Sequence, residues 1–361
     1  MRKLALFLLL TLLGLTNCLE KFDFDRPDSI KGAVAIQGKL VKGNPSTAQV
    51  ILRDVFDFFN APRFITASRV YLLDEMGNKI ELRARKQGFY RAEIPSDHPF
   101  FKVEFGGKYK IQIENLKGED YESDFDELFP APVPDKLVVK ETQTEFINEV
   151  GTISVFDQLG FFIDTPLKPV NSTENSRLLW EIVGTAKVTD TPDAGRCFVS
   201  RDFAAKSCYA NYTPVENYLI FDGSASSGDR IEDFLLNESS YTNLYAEGYY
   251  LTVYQQALSE PAFDFWSQVA TTVNRTGSIF QEPAGNIPSN IKNTTNPEKN
   301  VYGYFHASEQ HILRVYVSPE LGRNPPMQCP LITMSGELAV FCCNCLQLEE
   351  STAEKPDWWV D

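Results

Sequence analysis

The chain has 361 residues, of which 43% are hydrophobic and 23% are charged, a composition typical of globular proteins and not of disordered chains. Its formal net charge of −15 would repel a phosphate backbone, which argues against nucleic acids as ligands. The length is sufficient for two domains of ordinary size.

The chain begins with a short basic and apolar segment. Arg2 and Lys3 precede an apolar run over residues 4–15, which is shorter than the roughly 20 residues that a membrane-spanning helix needs. A basic start followed by a short apolar run is typical of a secretory signal. We therefore predict a signal peptide over residues 1–17.

The signal ends at Leu15-Thr16-Asn17-Cys18, which resembles a bacterial lipobox. The resemblance implies cleavage just before Cys18, diacylglycerol on its thiol and a fatty acid such as palmitate on its new amino group. We therefore predict Cys18 as the lipidation site. The alternative is ordinary secretion, in which Cys18 is discarded or remains a thiol.

Residues 18–31 form a short acidic tether without a helical period. Glu20, Asp23 and Asp25 resemble the acidic export signals that follow the lipidated cysteine in surface lipoproteins of Bacteroidota. A plain solvated linker is an equally good interpretation, because short charged runs usually have that role.

Short β-prone runs fill residues 32–117. Residues 69–84 predict a hairpin, with its turn at 75–78. Residues 108–114 alternate, with Tyr109, Ile111 and Ile113 on one face, which is typical of a strand with one buried face. The order of these runs resembles immunoglobulin-like or carboxypeptidase-regulatory-like modules, and we predict a β-sandwich over 32–117.

An acidic, proline-rich stretch over residues 118–135 predicts a linker between domains. Asp120, Glu122, Asp124 and Asp126 alternate, so an extended chain would place them on one face, where they would suit a calcium ion. The glycine and the spacing of an EF-hand loop are missing, and a solvated acidic edge is the alternative.

Residues 136–361 predict a larger β-rich domain that ends in a cysteine cluster. A helix is predicted at 260–274, where Ser259 can cap it and Pro261 fits its first turn. Its apolar residues Phe263, Trp266, Ala270 and Val273 share one stripe. The fold class is therefore mainly β, with one or a few short helices.

Apart from Cys18, the chain has six cysteines, and an even number in an exported protein suggests disulfides. These predicted disulfide residues are Cys197, Cys208, Cys329, Cys342, Cys343 and Cys345. Because Cys197 and Cys208 are close in sequence, we predict that they pair. The other four allow three connectivities, which spacing does not resolve.

Two segments of the chain are distinctive: residues 279–306, with Pro-Ala-Gly-Asn-Ile-Pro followed by Tyr-Gly-Tyr-Phe, and the ending Lys355-Pro356-Asp357-Trp358-Trp359. Both resemble a large family of outer-membrane lipoproteins in Bacteroidota that carries a domain of unknown function. The cysteines Cys342 and Cys345 resemble those that precede this ending. The lipobox, the tether and the first β module also stand in the expected order.

Members of that family are commonly encoded beside SusC-like TonB-dependent transporters. The resemblance therefore implies an accessory or substrate-capturing lipoprotein, placed on the outer membrane by its lipid and facing the cell surface, with the transporter as its partner in nutrient uptake. A structural or adhesive cell-surface lipoprotein is the alternative. The predicted binding residues are Asn286, Pro288, Asn290, Tyr302 and Tyr304, although a loop required only for the fold would carry the same turn residues.

The chain carries none of the common catalytic motifs. There is no Gly-x-Ser-x-Gly elbow, no His-Glu-x-x-His and no phosphate-binding glycine loop. We therefore predict a protein that is not an enzyme and that has no catalytic residues, no metal site and no cofactor.

Overall fold

The structure is a computed structural model, and it describes residues 33–54, 63–147, 151–193, 195–197, 204–214, 218–273 and 287–360. The predicted signal peptide, Cys18 and the acidic tether lie outside the described residues. Within these ranges, no helix has both the length and the apolarity that crossing a bilayer requires.

The N-terminal part of the chain is built from short strands. They are β1 (Val34–Lys42), β2 (Ser46–Asp54), β3 (Arg69–Asp74), β4 (Lys79–Lys86), β5 (Phe89–Ile94), β6 (Lys108–Leu116), β7 (Glu119–Ser123) and β8 (Asp126–Glu127). The predicted hairpin is confirmed, because β3 pairs with β4 in antiparallel register across the turn at 75–78. The predicted alternation in β6 is also confirmed, since Tyr109, Ile111 and Ile113 are buried.

These strands form two layers around one apolar core. One layer contains β5, β2 and β1, and the other contains β3, β6 and β7. Ile36 and Leu52 from the first layer and Leu72 and Ile111 from the second are fully buried in the shared core. Strand β4 joins the layers, because its first half pairs with β3 and its second half pairs with β5.

The two layers are parts of one large sheet, and the remaining strands extend that sheet or form a second, smaller one. They are β9 (Lys136–Ile147), β10 (Ile153–Pro166), β11 (Arg177–Thr189), β12 (Ser207–Tyr212), β13 (Leu219–Asp222), β14 (Arg230–Ser240), β15 (Tyr249–Leu258), β16 (Ile291–Asn293), β17 (Val301–Tyr302), β18 (Phe305–Val317) and β19 (Ser351–Thr352). The helices are α1 (Glu260–Val273) and α2 (Val340–Cys343), with single 3₁₀ turns at Gly223–Ala225, Asn243–Tyr245 and Cys345–Gln347. The protein is therefore mainly β with short helices, as predicted.

A second core lies between the small sheet, ordered β14–β10–β9, and strands β11, β15 and β18 of the large sheet. Phe161 of β10 and Leu251 of β15 are fully buried in it. Trp180 of β11 stacks on Phe234 of β14 with ring centroids 5.0 Å apart. These contacts make the second half a sandwich of its own.

Strand β18 belongs to both cores. Its first residues pair in parallel with β1, and its later residues pair in antiparallel register with β15. Phe305 is therefore buried in the first core, and Val317 is buried in the second. The predicted domain boundaries remain a prediction, but the two cores share this strand.

The stretch predicted as a linker, residues 118–135, contributes to the first core. Strand β7 pairs with β6 and β16, and Tyr121 and Leu128 are buried. Because its inward positions alternate with outward ones, this acidic stretch is organised as sheet.

Candidate binding site

The segment predicted as a binding loop precedes β18 and contains the short strands β16 and β17. Asn286 lies outside the described residues, Pro288 is exposed, and Tyr302 is half-buried. Asn290 is buried, and its side-chain amide donates to the Phe305 carbonyl at 2.8 Å. Its side-chain oxygen accepts from the Phe305 N–H at 2.9 Å. These two bonds make Asn290 the link between the segment and β18.

The same segment crosses β1 at very close range. Gly303 has a φ of 100°, and a Cβ atom there would collide with the carbonyl oxygen of Ile36. Only glycine tolerates both this backbone conformation and this approach. The next residue, Tyr304, accepts a hydrogen bond from the Gly38 N–H at 2.9 Å. Its ring is stacked on Phe265 of α1, with centroids 4.6 Å apart.

A cavity of about 180 Å³ lies beside Tyr304, between β1, β2 and α1. Its lining includes the rings of Tyr218, Phe265, Trp266 and Tyr304 and the side chain of Arg53. The volume is below the roughly 300–1,000 Å³ of drug-sized ligand sites, so the cavity suits one ring or one side chain. The aromatic faces suit an apolar or ring-shaped group, and the guanidinium suits a hydrogen-bond acceptor or an anion.

Helix α1 supplies part of this cavity, and its local sequence explains its position. The Ser259 hydroxyl accepts the Ala262 N–H at 3.2 Å and so caps the helix, as predicted. The predicted apolar stripe packs inward at Phe263, Trp266 and Ala270, although Val273 at the end is exposed. The Trp266 ring is tilted against Tyr218, with centroids 4.8 Å apart.

A buried carboxylate ties α1 to β18. Asp126 accepts hydrogen bonds from the Ser259 hydroxyl and, at 2.7 Å, from the Ala307 N–H. Burial raises the pKa of Asp126 to about 6 despite these two bonds. Asp126 therefore connects the helix cap, β18 and the strand β8 on which it lies.

His306 directly precedes Ala307, whose N–H donates to this carboxylate, and it is also buried. Burial, with a smaller effect of the Lys39 ammonium, lowers the pKa of His306 to about 4. Lys39 forms an ion pair with Glu181 at 2.7 Å. The Trp266 ring meets the imidazole edge-on at 5.9 Å. Among the described residues, neither His306 Nδ1 nor Trp266 Nε1 has a hydrogen-bond partner.

The acidic residues considered for calcium do not converge. Asp120 and Asp124 are exposed, and Asp124 forms an ion pair with Lys292 at 2.7 Å. Glu122 forms an ion pair with Lys110, whereas Asp126 is buried. In the part of the chain that the structure describes, no group of three or more His, Cys, Asp or Glu side chains is arranged to hold a metal ion.

All six cysteines that we predicted as disulfide residues form disulfides, but the predicted Cys197–Cys208 pair is wrong. The bonds join Cys197 to Cys343, Cys208 to Cys345 and Cys329 to Cys342, with Cα–Cα distances of 5.6, 5.8 and 5.4 Å. Both members of the predicted pair instead bind the C-terminal segment.

The reason for this connectivity is the position of β12. Cys208 lies on that strand, fully buried, and β12 pairs with β11 and with β19 of the C-terminal segment. Asp190 at the end of β11 holds the two segments together, because its carboxylate accepts the N–H groups of Lys206 at 2.8 Å and Cys345 at 3.2 Å. Tertiary packing thus brings distant cysteines closer than the local loop does.

Several cavity residues were absent from the predicted site. Of the five predicted binding residues, Tyr304 lines the cavity, whereas Arg53, Tyr218, Phe265 and Trp266 were not predicted. Their separation along the chain hides the site from any local motif. The aromatic stripe of α1 was the one local signal, and the same stripe is typical of core packing.

Comparisons with known proteins place these features in a family. A comparison with curated proteins gives no significant match. Residues 20–314 match the family described as Domain of unknown function (DUF4249). The matched range contains all the cavity residues and ends within β18, before the cluster of cysteines at 329–345. Because the match covers most of the chain, the protein belongs to the DUF4249 family.

Proposed function

We propose that this protein is a lipid-anchored accessory protein of a SusC-like TonB-dependent transporter, and that it captures a small ligand without catalysing a reaction. The observation that carries the proposal is the aromatic cavity between β1, β2 and α1. The resemblance to outer-membrane lipoproteins encoded beside such transporters supplies the partner.

The lining of the cavity indicates the class of ligand. Tyr218 and Trp266 offer ring faces, and Arg53 offers a guanidinium that is exposed at one side of the cavity. A ligand with one ring or apolar face and one acceptor or anionic group would use both kinds of contact.

Lipid at Cys18 would keep this cavity close to the membrane. Even a fully extended chain over residues 19–32 would span at most about 50 Å. Such a tether raises the effective concentration of the body near a membrane partner. A cavity held near the membrane in this way could capture a ligand beside a transporter.

The partner is tested by isolating tagged protein from its native cells in mild detergent. We expect a SusC-like barrel in stoichiometric amount and a loss of substrate uptake when the protein is deleted. A protein that is isolated alone at native abundance, with uptake unchanged after deletion, would favour the structural or adhesive alternative.

The cavity is tested by the variant Arg53→Ala. Wild-type protein isolated from its native cells and then denatured should release a bound small molecule that mass spectrometry detects. The variant should retain about tenfold less of this molecule, because a hydrogen bond to a charged group contributes about 1.5–3 kcal/mol. Arg83→Ala is the matched control, since Arg83 is exposed on β4 and is not a cavity residue. Equal retention by all three proteins would contradict the role of the cavity.

A further inference from the structure

The hairpin of β9 and β10 extends beyond the sheet to which it belongs. Strand β14 pairs with β10 only as far as Gln158, opposite Ser240. Beyond that point, residues 143–147 of β9 and 153–157 of β10 pair only with each other among the described residues. We call these two segments the apolar arm.

The apolar arm exposes large hydrophobic side chains on both of its faces. Opposed residues share a face, so Ile147, Ile153 and Val155 lie on one side. Phe146 and Phe156 lie on the other side. All five are between 52% and 63% exposed. Such a group is larger than the single exposed hydrophobics of ordinary surfaces and indicates an interaction site.

The base of the apolar arm is braced. Arg323 donates to Asp157 at 2.8 Å and to Glu141 at 3.5 Å. Its guanidinium also lies 4.1 Å from the centre of the Tyr241 ring, and the Tyr241 hydroxyl donates to Glu141 at 2.9 Å. These contacts set the direction of the arm before any partner binds, which lowers the entropic cost of binding.

From these observations we propose that the apolar arm is the docking element for a second protein, which receives it in an apolar groove bordered by a free strand edge and by lysine or arginine. A groove covers both faces of the arm, and a strand edge satisfies the backbone groups along its open sides. Glu145 accounts for a basic residue at the rim, because it lies beside Val155 on one apolar face, whereas Glu141 and Asp157 are already bonded to Arg323.

A lipid layer fits the apolar arm less well. A ribbon of two strands has open backbone edges on both sides, and hydrocarbon offers no partner for those N–H and C=O groups. The acidic side chains would also be repelled by an anionic lipid surface. A second copy of the chain is disfavoured as well, because pairing two arms would bring identical carboxylates together.

The first experiment uses photo-crosslinking in native cells. A photoreactive residue at Phe146 or Phe156 should form one adduct with one other protein, and mass spectrometry should map it to a strand edge or groove of that protein. The same residue at Met76, which is 86% exposed on the β3–β4 turn, is the control. Absence of an adduct at the arm, or an equal adduct at Met76, would overturn the proposal.

The second experiment uses purified components. The full mature chain with Cys18→Ala should bind the crosslinked protein, and Phe146→Ser with Phe156→Ser should weaken binding by about tenfold or more. Val170→Ser, at a position that is 80% exposed elsewhere, should leave binding unchanged. Higher salt should weaken binding, because the rim is basic, and binding that does not change with salt would contradict the basic rim.

Two further results would each overturn the proposal. If the same chain sediments as a dimer, and Phe146→Ser abolishes that dimer, a second copy of the chain is the occupant. Flotation with phosphatidylcholine or phosphatidylglycerol vesicles, again lost in Phe146→Ser, would identify lipid. The inference does not rest on the proposed function, since Arg53→Ala tests the cavity independently of the arm.

Discussion

At the scale of single residues, Asp126 and His306 are two buried titratable groups whose pKa values move in opposite directions. Burial raises the pKa of Asp126 to about 6 and lowers the pKa of His306 to about 4. Between about pH 4 and pH 6 the folded state therefore holds a proton on Asp126, whereas the unfolded chain holds one on His306. The two effects on stability oppose each other in this window.

Replacing either group should reveal the effect of the other. In Asp126→Asn only the titration of His306 remains, so the unfolded state binds one proton more than the folded state in this window. The free energy of unfolding of this variant should therefore rise by about 3 kcal/mol from pH 4 to pH 6.5 relative to the wild type. In His306→Gln the same quantity should fall by about 3 kcal/mol over pH 4 to 6, since the folded state now binds more protons. Urea denaturation across this range measures both slopes, and parallel curves for all three proteins would contradict the assignment.

Cys18 is the residue on which the proposed membrane attachment depends. Labelling with a radioactive or clickable fatty acid should mark the expressed protein, and Cys18→Ala should abolish the label, because no other residue is proposed to carry lipid. Cys329→Ser is the control, since Cys329 pairs with Cys342 within the fold. Label that persists in Cys18→Ala would refute lipidation at this site.

At the scale of elements, the disulfides that tie the C-terminal segment to the sheet should not act independently. The bonds Cys197–Cys343 and Cys208–Cys345 each span a long separation, 146 and 137 residues. When one of these bonds is already formed, the second bond closes only a short loop in the unfolded chain. That loop runs from Cys197 to Cys208 and from Cys343 to Cys345, and the first bond joins its two parts. Removing either bond alone should therefore cost about 3 kcal/mol, and removing both should cost about 8 kcal/mol.

Denaturant unfolding of paired Cys→Ser variants checks this expectation. The bond between Cys329 and Cys342, with a separation of 13 residues, provides a comparison that should also cost about 3 kcal/mol. A cost near 5 kcal/mol for one long-range bond alone would show that the two bonds stabilise the protein separately.

The elements also show how far the sequence can be interpreted without the structure. Alternation predicted β6, turn residues predicted the β3–β4 hairpin, and the cap at Ser259 predicted α1, because each signal lies within a few neighbouring residues. The disulfide partners, the cavity and the burial of Asp126 depend on which strands become neighbours. Arg53 and Trp266 meet only because β2 and α1 border the same cavity, and no local period encodes that.

At the scale of the whole molecule, the strand β18 should make the two cores unfold together. Phe305→Ala removes a fully buried side chain from the first core and should cost about 3–5 kcal/mol. Because β18 continues into the second core, tryptophan fluorescence should show the same loss. Trp180 packs in the second core, and Trp358 and Trp359 pack with Tyr250, so these three report on the remainder of the molecule. Trp266 also faces β1 and β2 across the cavity.

Phe100→Ala is the matched control, since Phe100 is exposed. It should leave the transition within about 0.5 kcal/mol of the wild type. An unchanged tryptophan transition in Phe305→Ala would show that the two cores unfold independently.

The parallel pairing of β1 with β17 and β18 has a consequence for the order in which the protein is made and folds. Val34 pairs with Val301, and Gly38 pairs with Phe305, so the first core lacks a strand until most of the chain has been synthesised. Contacts between such distant residues slow folding, because a long loop must close first. A chain that emerges from its N-terminus would expose the free edge of β1 throughout that interval, and a chaperone that covers this edge would protect the chain from aggregation.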